Sequence, residues 1–111
     1  MSTATDTPTV VETYLSTPKE AAAPLVGELF TADAVVHDEG RTHVGADAIR
    51  AWTTGVASAF TFTRTVTEVL RRGDAVVASV HLDGDFPGSP VDLHHHFTVS
   101  GGRIAALTIC P

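Results

Sequence analysis

The sequence predicts an α+β domain: a curved, mostly antiparallel sheet with about three helices packed on one face. Three observations predict it. Apolar residues recur at helical spacing through the first half of the chain, and β-branched content rises sharply from about residue 60. The turn signals "RRGD", "GDFPGSP" and "SGG" then cut the second half into segments that pair as consecutive hairpins.

Residues 1–7, MSTATDT, are polar and lack a basic start and an apolar stretch, so a disordered tail is expected ahead of a single domain over 8–111. Thr7 and Pro8 suit an N-cap and a first helical residue, and Val10, Val11, Tyr14 and Leu15 follow on one face. Tyr14 therefore belongs to a buried stripe. Thr17 and Glu20 frame Pro18 as a T-x-x-E capping box, and Leu25, Val26, Leu29 and Phe30 form a second apolar stripe that Pro24 should kink or delay. In "ADAVVHDEG" the period changes: Ala34, Val36 and Asp38 alternate against Val35, His37 and Glu39, giving a strand over 34–38 that ends near Gly40. From about Ala46 to Ala57, Ile49, Trp52, Thr53 and Val56 share a helix face, with Gly45 at its entry and Arg50 on the solvated side. Four strands of about eight to eleven residues complete an antiparallel meander, which the strand at 34–38 joins.

With 111 residues, 43% hydrophobic and 18% charged, the chain can bury one core. A net charge of -6 with only 7 Lys+Arg argues against a nucleic-acid partner. No apolar run approaches the roughly 20 residues that span a bilayer. Cys110 is the only cysteine, so no intrachain disulfide forms and a cytoplasmic location is expected, while an intermolecular bridge stays open.

The stretch "VDLHHHFTV" places three histidines in one strand. Alternation sends His94 and His96 to one face, and His95 to the other with Val91, Leu93, Phe97 and Val99. A register that keeps apolar residues together sets Leu82 opposite Leu93 and His81 opposite His94. His81, His94 and His96 would then gather on the outer face, at a spacing that could hold Zn or Ni. Thr and Ser neighbours, with no HxxxH or CxxC, fit a solvated or dimer-facing surface better, and no metal is expected.

Inward-facing His95 needs a hydrogen-bond partner, or a cavity that supplies one. Asp38 likewise falls where alternation predicts burial, which costs several kcal/mol for an unpaired carboxylate. Arg64 is ambiguous in facing. One option is that Asp38 caps a turn; the other is a general base at a pocket. With the Tyr14 phenol, these groups supply a base and two donors to a developing oxyanion, walled by Phe30, Trp52, Phe62 and Phe97. That set suits proton removal beside a carbonyl in a small apolar ligand, without a cofactor. Epoxide hydrolysis, with Asp38 orienting water, and a non-catalytic ligand-binding or dimerisation module use the same residues.

"LFTADAVVHDEG" followed by "GADAIRAW" resembles the helix-strand-helix signature of the NTF2-like superfamily, which includes SnoaL-like polyketide cyclases, ketosteroid isomerase, scytalone dehydratase and limonene epoxide hydrolase. The likeness runs from about Val10 to Ile109 and implies the cone-shaped α+β fold of that group. By this resemblance Tyr14 corresponds to the oxyanion-hole tyrosine of ketosteroid isomerase and Asp38 to its catalytic base. Its oxyanion-hole aspartate, two residues before a late-strand Phe, corresponds to His95 before Phe97, a departure that substitutes an imidazole. The resemblance also implies a homodimer through the outer sheet face.

Overall fold

The computed structural model describes residues 7–59 and 61–111; apart from Thr7, the tail expected over 1–7 lies outside them. The first helix, α1, spans Thr9–Ser16 with Pro8, not Thr7, at its N-cap. The Pro8 carbonyl accepts from the Val11 and Glu12 amides at 3.0 and 3.1 Å, a position where a residue without its own N–H loses nothing. Val10, Val11 and Tyr14 form its buried face, as the spacing predicts.

The capping box does not form. Thr17 takes an extended conformation after α1, its hydroxyl turns back to the Thr13 carbonyl, and the Glu20 carboxylate pairs with Lys19. In place of the expected second helix, two 3-10 turns, Lys19–Ala21 and Ala23–Leu25, lead into one short helix, α2, at Val26–Leu29. Pro18 and Pro24 explain the interruption, since each removes an N–H and disfavours helical geometry in the residue before it. Phe30, counted above with a helical stripe, begins strand β1.

Strand β1 runs Phe30–Asp38, longer than the expected 34–38, and is followed by a short β2, Arg41–Val44, that sequence patterning does not reveal. Glu39 (φ 53) and Gly40 (φ 76) join them as two consecutive left-handed residues, with Asp38 opposite Arg41. A two-residue hairpin of this kind ordinarily carries Asn-Gly or Asp-Gly, so glutamate conceals it. Helix α3, Ala46–Ala59, starts at Gly45 (φ 87), whose N–H reaches the Ala34 carbonyl at 2.8 Å.

The remaining strands are β3 Phe62–Arg72, β4 Ala75–Gly84, β5 Val91–Ser100 and β6 Arg103–Cys110, matching the expected meander. One six-stranded sheet has the order β2-β1-β6-β5-β4-β3; only β1 and β6 run parallel. Helices cover one face and seal a core of Val36, Ile49, Val76, Phe97, Ile104 and Leu107, so the α+β expectation holds.

The expected register of β4 and β5 is two residues off. Val80, not Leu82, lies opposite Leu93, and Leu82 faces Val91. Every side chain keeps its face, because a two-residue slip preserves the alternation. His81 therefore lies opposite Asp92, with Nδ1 2.7 Å from its carboxylate, and Ser79 lies opposite His94. The outer histidines are thus spread, with His94 and His96 ring centroids 6.4 Å apart. Among the described residues no three His, Cys, Asp or Glu side chains stand where they could hold a metal ion.

Candidate functional site

Because β6 lies between β1 and β5, Asp38 and His95 flank Ile109 in one row across the sheet. Two strand spacings put their backbones roughly 10 Å apart. The next inner row holds Val36, Leu107 and Phe97. Phe97 links Tyr14 to His95: the tyrosine ring meets it edge-on at 5.7 Å between centroids, and the imidazole stacks with it at 6.1 Å. Phe30 packs edge-on against Tyr14 at 5.9 Å.

Tyr14 is 6% exposed. Burial pushes its phenol up to about 12, with Arg64 opposing and the Asp38 charge adding to the rise. The group stays a neutral donor at ordinary pH, and it lies within electrostatic reach of Asp38. His95 is 4% exposed, and burial pushes its imidazole down to about 4, helped by Arg64 and His96. It is neutral near pH 7, and its buried Nδ1 has no hydrogen-bond partner among the described residues. Leaving such an atom unpaired costs about 1–3 kcal/mol.

Asp38 is half-buried, and its Oδ2 accepts from the Trp52 indole at 3.1 Å. Partial exposure and this bond together ease the burial that alternation alone makes expensive. Trp52 is therefore more than the apolar wall the sequence suggests. Its place on the inner stripe of α3 was legible, and a half-buried indole N–H needs an acceptor, which is the signal that would have found the pair.

Arg64 also faces inward. Its Nη2 donates to the Thr17 carbonyl at 2.8 Å and the Tyr14 carbonyl at 3.4 Å, and its guanidinium carbon lies 5.6 Å from the Tyr14 ring centroid. The alternation hid this because a bulge between Val66 and Glu68 reverses the parity of β3: Arg64 and Val69 share the inner face although five residues apart.

Phe30 and Phe97 are buried, while Phe62 stands apart, half-buried, edge-on to Phe86 at 6.3 Å. Two clefts stand out among the described residues. One, about 410 Å³, lies along Val69–Arg72 and Val77; the other, about 250 Å³, lies between the end of α1 and β3, against Thr17, Lys19, Phe62 and Arg64. Neither of these two is lined by Asp38, Tyr14 or His95, and of the expected wall residues Phe62 borders the second. No helix of the described residues is long and apolar enough to cross a membrane.

This geometry has known counterparts. Residues 11–107 match the SnoaL-like domain. The chain belongs to the SnoaL-like family. No curated protein matches this SnoaL-like chain. Among solved structures it is similar to a candidate polyketide cyclase from Sinorhizobium meliloti: 36% identity, TM-score 0.87, covering 95% of this chain and 96% of that one. A Catenulispora acidiphila protein with a ketosteroid isomerase-like fold, in complex with trimethylamine, is 22% identical, with TM-score 0.75 and coverage of 95% and 86%. An epoxide hydrolase of M. tuberculosis, like limonene epoxide hydrolase, is 18% identical, with TM-score 0.74 and coverage of 95% and 81%. The last two likenesses show a shared fold alone, ketosteroid isomerase-like in the first of them.

Proposed function

We propose that this SnoaL-like protein is a cofactor-independent enzyme that removes a proton beside a carbonyl in a small ligand, in an isomerase, cyclase or dehydratase type of reaction. The observation that carries it is the single row holding Asp38 and His95, with His95 Nδ1 lacking a partner. Trp52 fixes one carboxylate oxygen of Asp38, and the other takes the proton from carbon. The C–H electron pair moves into the new C=C bond and charge builds on the carbonyl oxygen, where Tyr14 and neutral His95 donate. Collapse of the enolate returns the proton at another carbon, forms a carbon–carbon bond or expels a leaving group. A general base of this kind contributes about 10²–10⁴-fold, and each oxyanion donor about 10²–10³-fold.

Deuterium exchange beside the carbonyl of small ketones and 1,3-dicarbonyl compounds, followed by NMR, tests the reading without a known substrate. The native protein should accelerate exchange, Asp38→Asn should lose at least about 10²-fold with an unchanged circular dichroism spectrum, and Tyr14→Phe should lose a similar factor. Full exchange by the Asn variant, or none by the native protein, overturns it. The burial of Tyr14 and His95, neither of which lines either cleft, favours a second reading, a non-catalytic ligand-binding module of the same fold, which predicts binding without exchange. Epoxide hydrolysis without exchange would instead assign Asp38 to water activation.

The same proposal places the protein in the cytoplasm as a homodimer joined through the outer sheet face. Support comes from Leu70 and Val44, 59% and 61% exposed, both of which lie on that face.

A further inference from the structure

The chain's single lysine and Arg64 border one cleft of about 250 Å³, in a protein whose net charge is -6. Arg64 is half-buried, and among the described residues it has no carboxylate within ion-pair distance. Its two carbonyl bonds both use Nη2. Those bonds cap the end of α1, where carbonyls lack helical partners, yet a neutral donor would serve that purpose as well. A guanidinium charge held partly out of water is costly until an anion meets it, and its planar fork matches a carboxylate. Lys19, its side chain 12% exposed, stands beside it with Nζ 5.6 Å from the Phe62 ring centroid, bound to the Ala57 carbonyl at 3.0 Å and to Glu20 at 2.6 Å. Glu20 borders the same cleft, but its side chain is 66% exposed and can swing into solvent, so an incoming anion can compete for the ammonium.

We infer that this cleft is a carboxylate subsite: Arg64 holds the acid group of a small organic acid, Lys19 adds a second positive charge and Phe62 supplies an apolar wall. The volume lies below the usual range of about 300–1,000 Å³ for drug-sized ligands, so the acid is compact, with one ring or a short chain. Arg64 also lies over the Tyr14 ring, so the subsite adjoins the proposed oxyanion donor. Resting on the enolisation reading, this makes the substrate an acid bearing a carbonyl.

Calorimetric titration with 4-hydroxybenzoate and its neutral analogue 4-hydroxybenzamide tests the subsite. The acid should bind at least about tenfold tighter at low salt, and the preference should shrink as salt rises. Arg64→Gln should abolish the preference, Lys19→Met should reduce it several-fold, and Arg64→Lys should keep part of it. Should Arg64→Gln fail to fold, the Lys19 and Arg64→Lys variants still decide. Equal affinity for the two probes, no binding of either, a preference that survives Arg64→Gln, or one left undiminished by both Lys19→Met and Arg64→Lys overturns the subsite. Asp38→Asn separates the two proposals: it should keep the acid preference while losing exchange. If it retains exchange and the preference stands, the base assignment falls and the subsite survives.

Discussion

Replacing His95 by phenylalanine should remove a large part of the protein's sensitivity to mild acid. In the folded chain the imidazole is held near 4 by burial, with Arg64 and His96 adding, against an ordinary value of 6.5. Between those values the unfolded chain takes up a proton that the native state refuses. Stability is therefore fully present above the unfolded value and declines as pH falls toward about 4, below which this contribution is flat. The gap is worth about 3 kcal/mol in the limit, and about 2 kcal/mol of it is lost between pH 7 and pH 5. For a domain of this size that is a fall of about 8 °C in Tm. Phenylalanine keeps the stacked contact with Phe97 and removes both the titration and the unpartnered Nδ1. Thermal unfolding followed by far-ultraviolet circular dichroism at the two pH values measures the difference. The variant should equal or exceed the native protein at pH 7, and its advantage should widen by about 2 kcal/mol at pH 5. The other five of the chain's 6 histidines are common to both proteins and drop out of the comparison. An unchanged difference between the two conditions would refute the claim that His95 is buried and neutral.

Tyr14 is the only tyrosine, so alkaline titration of tyrosinate absorbance reads it directly; the midpoint should lie near 12, and a midpoint at 10 would mean the phenol is solvated. Phe97→Ala should cost about 3–5 kcal/mol in chemical denaturation, because it empties the ring that joins Tyr14 to His95. Gly84→Ala should destabilise by about 1–3 kcal/mol, since the added Cβ would overlap the Thr61 carbonyl oxygen and the Phe62 backbone, and a Tm equal to the native value would contradict that packing.

Legibility in the sequence followed the strength of local periodicity. The face of α1 that buries Tyr14, the stripe of α3 and the four-strand meander each rest on long, regular patterns, and each is found where the spacing puts it. The same alternation sent Asp38 and His95 to one face, though only the parallel pairing of β1 with β6 puts them in one row. Prolines at 18 and 24 turned a helical stripe into separate turns, a contest between apolar spacing and missing N–H groups that patterning alone decides wrongly. The β4–β5 register escaped because a slip of two residues leaves every apolar contact on its proper face. Arg64 escaped for the opposite reason: one bulged residue in β3 changes the facing of everything beyond it.

The parallel seam between β1 and β6 also orders events as the chain is made. Apart from four-residue β2, the segment bearing Asp38 has no strand neighbour until β6 emerges from the ribosome, about seventy residues later. The carboxylate can join the row of His95, across Ile109, only as the sheet's last strand zips in, so damage to β6 would unmoor a residue far upstream of it.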